Sequence, residues 1–340
     1  MLGVPSLQVA VTGPGILAKG PQAAARERSL FVAYGSGDDL YVSQAGDDLA
    51  FRPPVRIGNA GKLSIGMRRG PRIVASGSRL VVSAIYGERG GGRDGDLLSW
   101  RSEDAGKTWS GPTKVSDEPG AAREGLHAMA AGRDGTIACV WLDLRNKGTE
   151  IWVATSRDGG ASWSKNARVY RSPEGTVCEC CHPSAAFGPD NRLYVMFRNS
   201  LGGARDMYLA SSRDGGRSFS PALKLGTGSW RLNACPMDGG SLAVDSKGRV
   251  VTVWRREDRL FTCRPGSPET EMRPGMQAWV APAGPSTAFV FQRAGRVYGG
   301  RSAGETVDLG EGIDPVATGF GNGAVSFWTD PTGRIWARRL

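Results

Sequence analysis

The chain has 340 residues and a formal charge of +10, from 43 Lys and Arg against 33 Asp and Glu. No apolar run approaches the roughly 20 residues that cross a bilayer, so no membrane span is expected. The opening MLGVPSLQVAVTGPGILAKG lacks the charged and apolar regions of a signal peptide, so any leader is expected to be absent from this chain. The charge favours anionic partners, yet Arg is spread along the chain without a basic helix or an aromatic RNA-reading signature, so nucleic acid is not an expected partner.

The 50 Gly and 20 Pro predict many tight turns between short strands. In chain order, strand-like units read at 22–60, 70–117, 126–172, 181–226, 238–273, 276–310 and 314–340, the last completed by a strand from the N-terminus. Within them, GTIACVWLDL (135–144) and NRLYVMFRNS (191–200) are β-rich runs, followed by TEIWVATS (149–156) and RDMYLASS (205–212). Each unit then reaches a turn. Three turns superimpose: SEDAGKTWS (102–110), SRDGGASWS (156–164) and SRDGGRSFS (212–220).

The aromatic positions of these turns, Trp109, Trp163 and Phe219, repeat at a spacing of about 55 residues. Ser102, Ser156 and Ser212, with Asp104, Asp158 and Asp214, can accept hydrogen bonds from turn N–H groups. Gly106, Gly160 and Gly216 supply a positive φ, and the ring is expected to pack back on its own hairpin. Four antiparallel strands per unit, repeated seven times, predict an all-β fold, a β-propeller forming a single domain over 1–340 and expected to be a monomer.

The three turns resemble the Asp-box, or BNR, repeats of the sialidase-like β-propeller superfamily. Sialidases have six blades, so six is the alternative that the resemblance brings to the count of seven. In an up-and-down blade the turns alternate ends. The Asp-box turns therefore mark one end, and the links from the fourth strand to the next inner strand mark the other, where propellers bind ligands.

One such link is TVCECCHPS (176–184), which leads into the inner strand SAAFGP. Aligning blades on their second strands matches Cys178 to Cys235, Cys180 to Met237 and Met67, and brings His127 within one residue of His182. Met129 falls near the same rim. Thiolate and thioether donors favour Cu(I), and thiolate with imidazole also suits Zn(II). The candidate metal ligands are Cys178, Cys180, Cys181, His182, Cys235, Met237 and His127, with copper, or else zinc, as the expected cofactor. A disulfide from Cys178 or Cys181 to Cys235 and a set of unpaired buried thiols remain open alternatives. Cys139 reads as core, and Cys263 in TCRPGS lacks the final Arg of a sulfatase signature.

The resemblance also implies an exo-sialidase-type glycoside hydrolase as an alternative: three arginines on a sugar carboxylate, a Tyr nucleophile assisted by Glu, and an Asp acid/base. GPRIV (70–74) resembles the first arginine segment and offers Arg72, with Pro71 and Val74 in place of the family's aromatic and proline. Arg198 in MFRNS and Arg255 in VWRRE end second strands and complete the clamp, with Arg145 beside them. Asp143, Glu124 and Asp94 are candidate acids, and Tyr298 is the late tyrosine. The expectation favoured is a periplasmic or secreted propeller whose mouth holds a soft metal for metal handling or redox chemistry; a glycan- or protein-binding propeller braced by disulfides is a further alternative.

Overall fold

The computed structural model describes residues 8–301 and 305–340. Seven antiparallel sheets follow one another, with no helix among the described residues. Their inner strands are Ala18–Arg26, Arg72–Ser76, His127–Ala131, Ser184–Phe187, Ser241–Val244, Met276–Ala283 and Ile313–Phe320. Each inner strand pairs with the second strand of its own blade, as in Arg72 opposite Ser83 and Ser184 opposite Met196. The blade count of seven is therefore correct, and the six-bladed alternative falls.

The seventh blade is Ile313–Phe320, Gly323–Thr329 and Ile335–Arg339, and its outer strand is Val9–Ala10 from the start of the chain, paired through Val9 with Ala337 and Ala10 with Trp336. This pairing closes the ring by joining the start of the chain to its last blade. Second strands are nearly continuous apolar runs because both of their faces are covered. Ile137–Asp143 is buried at every residue. Core clusters form between adjacent blades rather than within one: Leu40 and Val42 of the first blade pack with Leu80 and Val82 of the second. No helix among the described residues is long and apolar enough to cross a membrane.

Candidate functional site

The Asp-box end is built from local bonds. In the first box Asp104 accepts from the main-chain N–H of Lys107 (3.0 Å) and Thr108 (2.9 Å), while Ser102 donates to Asp104 and accepts from Gly106 N–H, each at 2.8 Å. The other boxes repeat this through Ser156, Asp158 and Gly160 and through Ser212, Asp214 and Gly216. Such donors stabilise the carboxylates: they hold Asp104 and Asp214 well below the usual range, and at Asp158 the hydrogen bonds from Ser162 and Ser156 outweigh burial, leaving its pKa at about 2. The glycines have φ of +88°, +84° and +87°.

Trp109 packs back on its own hairpin as expected, its indole N–H donating to Gly106 O at 3.1 Å, whereas the other two rings reach further. Trp163 donates its indole N–H to Ser99 Oγ of the preceding blade at 2.9 Å, and Phe219 joins the cluster between the third and fourth blades. Trp163 and Phe219 thus fasten neighbouring blades together.

At the opposite end, where inner strands begin, the axis is filled. Arg68, Arg72, His127, His182, Asp238, Gln277 and Asp314 are all buried there. Arg72 donates through Nε to His127 O (2.9 Å), and its terminal nitrogens reach Gly70 O, Pro71 O and Arg68 O. Arg198 donates to Asp238 O and Arg255 O, at 2.9–3.0 Å, and to Arg205 O. Arg255 donates to Pro236 O and lies 3.5 Å from Asp238 Oδ2; both Arg198 and Arg255 sit over Trp230. Guanidinium groups committed to main-chain carbonyls are staples for the loops they touch. Arg72, Arg198 and Arg255 thus occupy the expected end without forming an open clamp.

Sequence reasoning missed Arg68, which ties this plug together. It bonds Gln277 Oε1 at 2.6 Å and Pro315 O at 2.9 Å, with a further bond to Gln277 O, so the second blade's entry loop grips the sixth and seventh. The available signal was the arginine-rich link MRRGPR (67–72). Met67 and Arg68 adopt φ of +41° and +66°, which turns Met67 out to solvent and Arg68 inward.

Beside the plug, three sulfurs meet. Cys178 Sγ lies 3.5 Å from Cys181 Sγ and 3.7 Å from Cys180 Sγ, and the remaining separation is 4.0 Å. Cys178 N–H bonds Arg198 O, which fixes the loop to the second strand, and the Met237 main-chain N–H reaches the Cys180 sulfur. Cys178 and Cys181 are buried and Cys180 is partly exposed. The thiols are held protonated at neutral pH. Hydrogen bonding from Cys180, with burial, lifts Cys178 to about 11, and burial lifts Cys181 to about 12.

The structure does not bring the other expected ligands into this group. Cys235 is exposed and, like the other five cysteines, is a free thiol, so the disulfide from Cys178 or Cys181 to Cys235 is not formed. His127 turns between blades, its Nε2 3.0 Å from Ser83 Oγ. His182 reaches toward the axis and stacks on Trp279 of the sixth blade, with ring centroids 6.4 Å apart. Half-buried Met237 contributes main-chain groups, its carbonyl accepting from Gln277 at 2.7 Å. Only Cys178, Cys180 and Cys181 form a cluster of His, Cys, Asp and Glu donors with ligand atoms mutually within 4.8 Å among the described residues.

The candidate acids are also accounted for. Asp143 is fully buried and accepts from Trp141 Nε1 (2.8 Å) and from Arg145 N and Nε (2.9 Å each). Arg145 continues to Asp117 and stacks on Trp152, making this a structural bridge. Asp94 accepts main-chain N–H groups of Glu88, Arg89 and Gly90. Glu124 is half-buried beside Arg123, and burial raises its pKa. Tyr298 stacks on Phe291 in an outer part of the sixth blade. Cys139 is buried in the core, as expected, and Cys263 is buried as well.

Comparison with known proteins adds the family. The BNR repeat-like domain matches residues 67–259. Among solved structures, a Dyadobacter fermentans protein of unknown function is 15% identical with a TM-score of 0.61, covering 100% of this chain and 99% of that one. A Penicillium chrysogenum α-L-arabinanase complexed with arabinobiose is 11% identical with a TM-score of 0.59, over 99% and 98%. A Hadza microbial sialidase is 16% identical with a TM-score of 0.53, over 93% and 74%. At these identities the likeness shows the fold alone. A search of curated proteins returns no match. With three Asp-boxes, seven closed blades and a match over more than half its length, the chain belongs to the BNR repeat-like domain family and is a sialidase-like β-propeller.

Proposed function

We propose that this propeller binds a soft metal ion on Cys178, Cys180 and Cys181, Cu(I) first and Zn(II) second, and that it does so outside the cytoplasm, in metal handling or redox chemistry. One observation carries the reading: three sulfurs from one link lie 3.5, 3.7 and 4.0 Å apart. A metal about 2.3 Å from each of three thiolates would hold them about 3.8 Å apart in a tetrahedral arrangement and about 4.0 Å apart in a plane. The donor set is wholly soft, which suits Cu(I). Its sulfurs are well beyond the roughly 2.03–2.05 Å of a disulfide bond.

Partly exposed Cys180 gives the ion an entry path, while buried Cys178 and Cys181 shield it from water. Because the free thiols are protonated, binding would release protons and strengthen with rising pH. A metal, if copper, would supply one-electron chemistry, and the thiolates that hold it would face the buried charge of Arg198. The neighbouring residues fix the loop: Arg198 O anchors Cys178, and Met237 N–H meets Cys180.

Anaerobic loading followed by elemental analysis tests this. One ion per chain is expected, lost in Cys178→Ser and Cys180→Ser and retained in Cys235→Ser. Full stoichiometry in both cluster variants would end the metal reading.

A glycan ligand is the second reading, favoured by the likeness over nearly the whole chain to an arabinanase that carries arabinobiose. Its exo-sialidase form finds little support in the arginines: Arg72 and Arg198 bond main-chain carbonyls, and Arg255 bonds Pro236 O and lies beside Asp238. Turnover of a fluorogenic sialoside would restore it.

A further inference from the structure

The link CECC (178–181) turns back on itself, and the turn gives its three thiols unequal access to solvent. The segment is held from several sides: Val177 bridges to Asn199 just past the second strand, Cys178 N–H bonds Arg198 O at 3.1 Å, and Thr176 Oγ1 donates to the Glu179 carboxylate at 3.1 Å. Cys178 and Cys181 are each only 1% exposed, whereas Cys180 is partly open to solvent. A reagent from solution therefore meets Cys180 first.

The sulfur nearest to Cys180 is that of Cys178, at 3.7 Å against 4.0 Å for Cys181. Cys180 and Cys181 are also adjacent in sequence. A trans peptide holds their Cα atoms about 3.8 Å apart, short of the roughly 4.4–6.8 Å that a relaxed disulfide spans. Cys178 and Cys181 lie closer still, at 3.5 Å, but both are shut away from the reagent. A bond that begins at Cys180 is therefore completed by Cys178. Such a bond excludes a metal: it draws two sulfurs to about 2.05 Å and leaves Cys181 as a lone thiol, whereas a bound ion needs all three about 3.8–4.0 Å apart.

We infer that Cys180 is a site of covalent modification by a low-molecular-weight disulfide and that Cys178 resolves it, so that the link switches between a metal-binding trithiol and a metal-free disulfide. In the first step the Cys180 sulfur attacks one sulfur of RS–SR; that S–S bond breaks, and one RSH leaves with the Cys180 proton. In the second the Cys178 sulfur attacks Cys180 Sγ; the mixed disulfide breaks, and the second RSH leaves with the Cys178 proton. Two cysteines are oxidised, one small disulfide is reduced to two thiols, and Cys181 stays a thiol. Because the resting thiols are protonated, the exchange is slow, on the order of hours. Only the loss of metal binding rests on the proposed function; the exchange does not.

The test uses the metal-free full chain carrying Cys235→Ser, which removes the exposed thiol, incubated anaerobically with oxidised glutathione and read by intact mass and by alkylation of the remaining thiols. The expected product is lighter by two hydrogens, with Cys139, Cys181 and Cys263 still free to be alkylated after unfolding. In the same background Cys181→Ser should give the same loss, Cys178→Ser should stop at one glutathione on Cys180, and Cys180→Ser should react at least about tenfold more slowly. After desalting, the oxidised chain should take up no Cu(I), and reduction by a phosphine should restore one ion per chain. An unchanged mass in the Cys235→Ser chain, a two-hydrogen loss that survives Cys178→Ser, or full Cu(I) uptake by the oxidised chain would overturn the inference. Exchange as described in a chain that never takes up Cu(I) would end the metal reading and leave the thiol switch standing; one Cu(I) bound by a chain that oxidised glutathione leaves unchanged would do the reverse.

Discussion

The two ends of this propeller solve the same problem, the saturation of main-chain polar groups in tight loops, by opposite means. At the Asp-box end the three boxes are self-sufficient: a Ser and an Asp within five residues satisfy each turn, and the arrangement repeats in the second, third and fourth blades. At the other end the loops nearest the axis are tied to other blades. Long arginines from one blade reach carbonyls of another, as Arg68 does to Gln277 and Pro315 and Arg198 to Asp238. The first design is modular and tolerant. The second is cooperative, so one side chain supports several blades, and it leaves both a thiol cluster and a buried positive charge beside the axis.

Changes at the cooperative end should therefore cost more. The largest effect is functional: Cys178→Ser is expected to remove the metal altogether, while thermal stability shifts little, which elemental analysis and calorimetry on one preparation will resolve. Next comes Arg72→Ala, which orphans four carbonyls around a buried site. It should destabilise the fold by about 3–5 kcal/mol in urea unfolding. A loss near that of a surface arginine would erase the contrast between the ends.

Within the modular end, Gly160→Ala places a Cβ 3.0 Å from Val81 at a φ of +84°, and about 1–3 kcal/mol should be lost. Ser156→Ala removes only a turn hydrogen-bond pair, and about 1 kcal/mol is expected.

The last effect is a pH dependence, small close to neutral pH. Burial first, then the charge of Arg72, pushes His127 well below the usual histidine range. The unfolded chain thus takes up a proton near pH 6.5 that the folded chain refuses. Stability is fully present above that pH and falls as pH drops below it, by up to about 1.4 kcal/mol per unit for this residue. His182 adds to the same slope. His127→Gln should flatten it, and an unchanged acid limb in denaturant titrations would show that His127 is not buried neutral.

Much of the fold was legible in the residues. The period of the Ser-Asp-Gly-aromatic turns and the alternation of apolar runs give seven blades with correct strand order, including closure by the N-terminal strand. The site was legible in part. Strand counting places the cysteines, both histidines and Arg72, Arg198 and Arg255 at one end, where they are found. It does not say which way each side chain turns at a wide rim: His127 goes between blades and Cys235 goes to solvent. Arg68 escaped notice because its role depends on the sixth and seventh blades, about 200 residues away in sequence. The Asp-box rings were assigned to their own hairpins, although Trp163 reaches the preceding blade.

By itself the sequence determined the repeat, the turn chemistry and the end of the barrel each link occupies, because hydrogen bonds within a few residues and the two-residue strand alternation act locally. Tertiary structure alone decided that the arginines serve carbonyls, that three sulfurs of the six cysteines meet, and that buried polar side chains gather where the inner strands begin. Those outcomes depend on side-chain directions and charge balance at a point where seven distant segments converge, and no local pattern encodes the sum.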